Sequence, residues 1–108
     1  MINEDPASFA ETLQEDGIFL LDVRTPEEFL AGHISGATLI DYNDASFEIK
    51  IADLDPSLTY AVYCRSGKRS LGAIELLNAR GIIDIHHLKD GIMSWVWAGQ
   101  PITEASSN

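Results

Sequence analysis

The sequence predicts an α/β fold, with a mostly parallel central sheet flanked by helices. Ile18-Phe19-Leu20-Leu21-Asp22-Val23 is a nearly continuous apolar run of strand length, the pattern of a strand buried on both faces of a parallel sheet. Segments with helical spacing and recognisable start and stop residues alternate with such runs along the chain. At 108 residues and 45% apolar content, the chain suits one compact domain over 1–108 with a core of about 18–101.

Taken in order, Pro6 to Glu15 places Phe9, Ala10 and Leu13 on one face and meets Gly17 beyond its end, a short amphipathic helix. The strand at Ile18–Val23 follows. Thr25-Pro26-Glu27-Glu28 then opens a second helix with a capping residue, a proline at the first position and a glutamate three residues after the cap; Gly32 closes it. Ala37–Ile40 reads as a second strand, and Ala45–Ile51 as one or two helical turns within a polar stretch. A third strand, Tyr60-Ala61-Val62-Tyr63, ends at Cys64. Arg69–Ala79 is a helix closed by Gly81, Ile82–Leu88 a last strand, and Gly91–Ala98 a final helix stopped by Gly99 and Pro101. The tail 103–108 is polar and is expected to fray.

Cys64 is the single cysteine, and it stands between a strand and Arg65-Ser66-Gly67-Lys68-Arg69-Ser70, a cationic loop that opens a helix. Successive backbone N–H groups and a helix N-terminus in such a loop favour a thiolate and hold an anion beside it. The charge pattern agrees. The chain has 17 acidic and 7 basic residues, a net −10, yet three of the seven cations lie between Arg65 and Arg69. An acidic protein with its positive charge gathered at one thiol draws a small anion there. The alternative for a lone cysteine after a strand is a small buried hydrophobe.

The same composition argues against nucleic acid and anionic membranes as partners. No stretch nears the roughly 18 consecutive apolar residues of a membrane helix. The N-terminus lacks the basic and apolar regions of a signal peptide, and one cysteine leaves no internal disulfide or paired-cysteine metal site, so a reducing cytoplasm is the expected location. No metal and no cofactor is expected. His86 and His87 fall on opposite faces of a strand pattern without a third ligand, and His33 in Gly-His-Ile reads as a hydrogen-bonding structural residue. Trp95 and Trp97 read as core and rim residues of the last helix.

Three stretches together resemble a single rhodanese homology domain: Leu21-Asp22-Val23-Arg24-Thr25-Pro26-Glu27-Glu28-Phe29 with Gly32-His33-Ile34-Ser35-Gly36-Ala37; Cys64-Arg65-Ser66-Gly67-Lys68-Arg69; and Leu88-Lys89-Asp90-Gly91-Ile92-Met93-Ser94-Trp95 through Gly99-Gln100-Pro101. The one departure is Asp90, where the family often has a second glycine. The resemblance implies a sulfurtransferase in which Cys64 takes a sulfane sulfur from thiosulfate or a similar anionic donor, becomes a persulfide, and passes the sulfur on. With no second thiol, the acceptor is external: cyanide, a small thiol, a thioredoxin or a sulfur-carrier protein.

Physical reasoning assigns roles around that cysteine. Attack of a thiolate on a dianion requires fixed positive charge and N–H dipoles. Arg65 and Lys68 are placed to supply the charge, Gly67 lets the backbone turn inward, and Ser66 and Gly67 are expected to bind the substrate together with these cations. Arg69 has two readings, substrate contact or an ion pair with Asp22 that ties the loop to the sheet; Asp22 and Arg24 are expected to organise loops. Two rival functions remain. Some cell-cycle dual-specificity phosphatases share the rhodanese fold, but their loop is one residue longer and usually follows a histidine, whereas here Tyr63 precedes Cys64 and the shorter loop makes a tighter cradle. A non-catalytic binding module is the other, although inactive members of the family typically lose the cysteine that this chain keeps.

Overall fold

The computed structural model describes residues 1–104, and the predicted fold class is what it contains. In chain order the elements are β1 (Ile2–Glu4), α1 (Pro6–Leu13), β2 (Ile18–Asp22), α2 (Pro26–Ala31), β3 (Thr38–Leu39), α3 (Phe47–Ile51), β4 (Thr59–Tyr63), α4 (Arg69–Ala79), β5 (Ile85–Leu88) and α5 (Gly91–Trp97). The five strands form one sheet in the order β1-β5-β4-β2-β3, and every pairing is parallel.

Side chains alternate across the sheet and so define two cores. Tyr60, Val62 and Cys64 face α3 and α4, where Phe47, Ile51, Ala73, Ile74 and Leu77 complete a buried cluster. Ala61 and Tyr63 face α1 and α5, packing with Phe9, Leu88, Ile92 and Trp95. Phe9 and Trp95 meet edge to face, with ring centroids 6.0 Å apart, and join the first helix to the last. The capping box expected at α2 is formed: Thr25 accepts from the Glu28 N–H, and the Glu28 carboxylate accepts from the Thr25 N–H.

Several element ends shift by one or two residues from the sequence reading, and four differences go further. Residues Ile2–Glu4, which carried no predicted element, form an edge strand beside β5; with Asn3 and Glu4 polar, the segment has no apolar run to mark it. The last strand begins at Ile85 rather than Ile82, because Ile82 closes α4 instead: its N–H donates to Leu77 O, and Asn78 Nδ2 donates to its carbonyl. Ala37–Ile40 contracts to the two-residue β3. The tail expected to fray from residue 103 is held at Thr103, whose N–H and carbonyl pair with those of His33, both at 2.8 Å. The remainder of that tail, 105–108, lies outside the described residues.

The carboxyl ends of β2, β4 and β5 come together at one edge, the usual site-bearing edge of such sheets. At the end of β2, Asp22 is fully buried and Arg24 only 4% exposed. Arg24 Nη2 donates to Asp22 Oδ2 and to Gly32 O, both at 2.7 Å, and Arg24 Nε also donates to the same carboxylate. The guanidinium lies 5.6 Å from the centre of the Tyr63 ring. Asp22 and Arg24 thus lock the β2–α2 turn and the end of α2 onto the sheet. Replacing Asp22 with alanine strands a buried cation, so Asp22→Ala should destabilise the protein by about 3–5 kcal/mol, read as a lowered denaturant midpoint; an unchanged midpoint would show that Gly32 O and the Tyr63 ring suffice to hold Arg24.

Candidate active site

The loop from Cys64 to Arg69 folds around the sulfur because its neighbours force it to. Gly67 has φ +93°, a conformation that side-chain-bearing residues rarely adopt, and a β-carbon there would collide with the backbone carbonyl of Lys89. Gly91, at the start of α5, is the reciprocal case: φ +72°, with a β-carbon position that would overlap the backbone of Arg65 and Ser66. The loop and the β5–α5 turn therefore interlock backbone against backbone. Two bonds fasten them, from Ile92 N–H to Cys64 O at 2.9 Å and from Met93 N–H to Arg65 O at 3.1 Å.

Inside this cradle the Gly67 N–H lies 3.1 Å and the Ser70 N–H 3.4 Å from Cys64 Sγ, with Ser70 Oγ at 3.3 Å. Burial pushes the thiol pKa up, but the Ser70 hydroxyl and the N–H groups of Ser70, Ser66 and Gly67 outweigh it and hold Cys64 below its ordinary value. Cys64 is 0% exposed, so the sulfur sits on the floor of the cradle. Arg65, Ser66 and Lys68 are exposed around it, and among the described residues neither cation forms an ion pair.

Arg69 is not paired with Asp22, which corrects one of its two readings. Asp22 is already taken by Arg24, and Arg69 instead makes a bidentate pair with Glu28 of α2, both contacts at 2.8 Å. The pair ties the start of α4, just after the loop, to the capping box of α2. The Arg69 pairing lowers the Glu28 pKa from 4.5 to about 2 against a smaller opposing effect of burial.

Three residues that the sequence reading left out of the site also converge there. Ser70 Oγ lies 2.6 Å from His87 Nε2, and His87 Nδ1 lies 2.8 Å from Asn3 Oδ1. Ser70 is the residue just past the cationic loop, and Asn3 and His87 are register partners on adjacent parallel strands; neither relation leaves a mark in local sequence. His86 faces the other side and approaches Glu4 at 3.3 Å. His33 lies away from the thiol: its Nδ1 donates to Phe29 O at 2.9 Å and its ring stacks on Phe29.

Beside the loop lies an open groove of about 600 Å³, walled by Arg24, Glu28, Arg65, Met93, Val96 and Trp97. Trp97 is 92% exposed, whereas Trp95 is buried and donates to Pro101 O. Among the described residues, no group of three or more His, Cys, Asp or Glu side chains is arranged to hold a metal ion, and no helix is long and apolar enough to cross a membrane.

A carboxylate with a depressed native pKa stabilises the fold above its unfolded value and loses that contribution as pH falls through its folded value. For Glu28 this window runs from 4.5 down to about 2. Glu28→Gln should therefore lower the thermal midpoint at neutral pH and flatten its fall across that window, with the two midpoints converging at the acid end. Parallel melting curves over the whole range would mean that the Arg69 pair adds nothing to stability.

A family model described as a rhodanese-like domain matches residues 5–98. The thiosulfate sulfurtransferase GlpE of Pseudomonas fluorescens is 34% identical over 90 residues, which cover 83% of this chain and 81% of GlpE. The uncharacterised protein slr1261 of Synechocystis is 30% identical across 94% of this chain, which spans only 56% of that relative. Among solved structures, a rhodanese-related protein from Thermoplasma volcanium superposes with a TM-score of 0.83 at 30% identity, covering 95% of this chain and 98% of that one.

Proposed function

Because this chain belongs to the rhodanese-like domain family, we propose that it is a sulfurtransferase that moves a sulfane sulfur from thiosulfate, or a similar anionic donor, to an external nucleophile through a persulfide on Cys64. The observation that carries this reading is the convergence of backbone N–H groups and the Ser70 hydroxyl on one sulfur atom. Those donors stabilise the thiolate before attack and the persulfide anion after it.

In the first half-reaction the Cys64 thiolate attacks the outer sulfur of thiosulfate. A new S–S bond forms, the old one breaks, and sulfite leaves with the electron pair. In the second, an acceptor such as cyanide or a thiolate attacks the outer sulfur of the persulfide and returns Cys64 to the thiolate. Arg65 and Lys68 offset the charge of the donor and of departing sulfite. The sequence holds one cysteine, so the acceptor is supplied from outside, as cyanide, a small thiol, a thioredoxin or a carrier protein. A free nucleophilic thiol suits a reducing compartment such as the cytoplasm.

Loop geometry supports this chemistry over phosphate-ester hydrolysis. The Gly67 and Ser70 N–H groups point at Sγ itself, whereas a phosphatase needs such groups aimed at the oxygens of a phosphate lying beyond the sulfur. A retained cysteine with a lowered pKa likewise favours catalysis over a purely binding role.

Cys64→Ser should abolish thiocyanate formation from thiosulfate and cyanide while leaving the fold intact, because a hydroxyl forms no persulfide. Arg65→Ala and Lys68→Ala should each raise KM for thiosulfate roughly ten- to a hundredfold, the loss of a charge-assisted contact of about 1.5–3 kcal/mol. Thiocyanate production that survives in the folded serine variant would overturn the reading. KM values at the parental level in both alanine variants would remove these two cations from the mechanism.

A further inference from the structure

Behind the thiol, away from the exposed loop side chains, runs a single file of hydrogen bonds: Cys64 Sγ to Ser70 Oγ at 3.3 Å, Ser70 Oγ to His87 Nε2 at 2.6 Å, and His87 Nδ1 to Asn3 Oδ1 at 2.8 Å. Cys64 and Ser70 are fully buried and His87 is 1% exposed. The direction of the file is set at its outer end. The Asn3 amide oxygen only accepts, so His87 Nδ1 carries the hydrogen and Nε2 presents a lone pair. Ser70 then donates to Nε2, and its oxygen is left to accept from the thiol. Three links polarised in one sense make a proton wire.

We propose that Ser70 and His87 form a relay that takes the Cys64 proton inward during sulfur transfer and returns it at the end of the cycle, with Asn3 fixing the tautomer that makes His87 receptive. The proposal rests on the sulfurtransferase reading above and assigns the proton that this reading leaves unplaced. Ahead of attack, the S–H proton passes to Ser70 Oγ while the Ser70 hydroxyl proton passes to His87 Nε2, so that the thiolate, now accepting from Ser70, is the attacking species. The Sγ electron pair forms the new S–S bond, and sulfite departs with the electrons of the old one. The imidazolium persists beside the persulfide anion, with Ser70 now donating to the sulfur. When the acceptor removes the outer sulfur, the proton returns by the same path, and no net proton is taken from solvent. Ser70 touches the reacting sulfur; His87 and Asn3 are positioning residues that act through it.

The surroundings suit a base that is neutral at rest. Burial disfavours the His87 imidazolium, with the Asp90 carboxylate opposing. Two charged groups bear on the file: Asp90, immediately before α5, favours the protonated ring, and Arg69, at the start of α4, favours the thiolate. From β1 the ring meets Asn3, and from α4 it meets Ser70; Glu4 and His86 interact with each other on the opposite face of the sheet.

The test is a titration of the Cys64 thiolate by its ultraviolet absorbance, with Cys64→Ser as blank, a readout that needs no sulfur donor. His87→Gln keeps an amide in place of the ring but binds no proton, and Ser70→Ala breaks the wire; each should move the thiolate midpoint up by about one pH unit, a tenfold loss of thiolate below the midpoint. Asn3→Asp decides by sign. A carboxylate acting directly on the sulfur would raise the midpoint, whereas one that makes His87 more basic lowers it, and the relay requires the lower value. Asn3 is exposed on an edge strand, so this variant carries the decision if either buried substitution fails to fold. A parental midpoint in folded His87→Gln, or a raised one in Asn3→Asp, overturns the relay. Failure of the parent protein to gain sulfur from thiosulfate would instead remove the sulfurtransferase reading, and the titration would still judge the wire.

Discussion

The carbonyls of Cys64 and Arg65 are captured by the first N–H groups of α5, at 2.9 and 3.1 Å, and the geometry of the site follows from that capture. A trans peptide is planar, with C=O and N–H on opposite sides. Turning the Arg65 carbonyl toward α5 therefore turns the Ser66 N–H the other way, where it adds to the Gly67 and Ser70 N–H groups in lowering the Cys64 pKa. Such close approach of loop and turn is open only to glycine at both contact points, because a β-carbon on Gly67 or Gly91 would enter the backbone opposite. The glycine in the third signature stretch thus serves the thiol in the second. Asp90, where the family often has another glycine, lies next to the contact without blocking it and places a carboxylate near His87.

Around this interlock the arginines and lysines divide between structure and chemistry. Arg24 is spent on Asp22 and on the end of α2, Arg69 on Glu28. These pairs bring the β2–α2 turn against the loop and leave Arg65 and Lys68 exposed at the mouth. In a chain of net charge −10, two such cations at the one thiol make a local attraction for anions that the rest of the surface repels. The groove beside Arg65, with Trp97 and Met93 on its wall, adds an apolar surface next to the charged one.

The sheet was legible because its strands are short apolar runs punctuated by helix caps, and the thiol loop because cysteine, glycine and three cations in one turn are an unusual local pattern. What was hidden is what the sheet brings together from afar. Nothing near Arg69 marks Glu28 as its partner, 41 residues earlier; a nearby buried aspartate was the natural guess, and Arg24 had already taken it. Ser70 reads locally as the first turn of a helix and His87 as one of two strand histidines. Only the pairing of β1 with β5, and of β5 with β4, sets Asn3, His87, Ser70 and Cys64 in line. β1 itself escaped notice because edge-strand pairing rests on backbone bonds, and its polar sequence carries no alternation. The hold on Thr103 is likewise a backbone bridge to His33.

The central claim is that Cys64 carries sulfur, and mass spectrometry of the purified protein after exposure to thiosulfate tests it most directly. The account predicts one added sulfur atom, mapped to the peptide containing Cys64, lost again when cyanide is added and absent from Cys64→Ser. A folded protein that gains no sulfur, or one in which the serine variant gains it equally, would contradict the account.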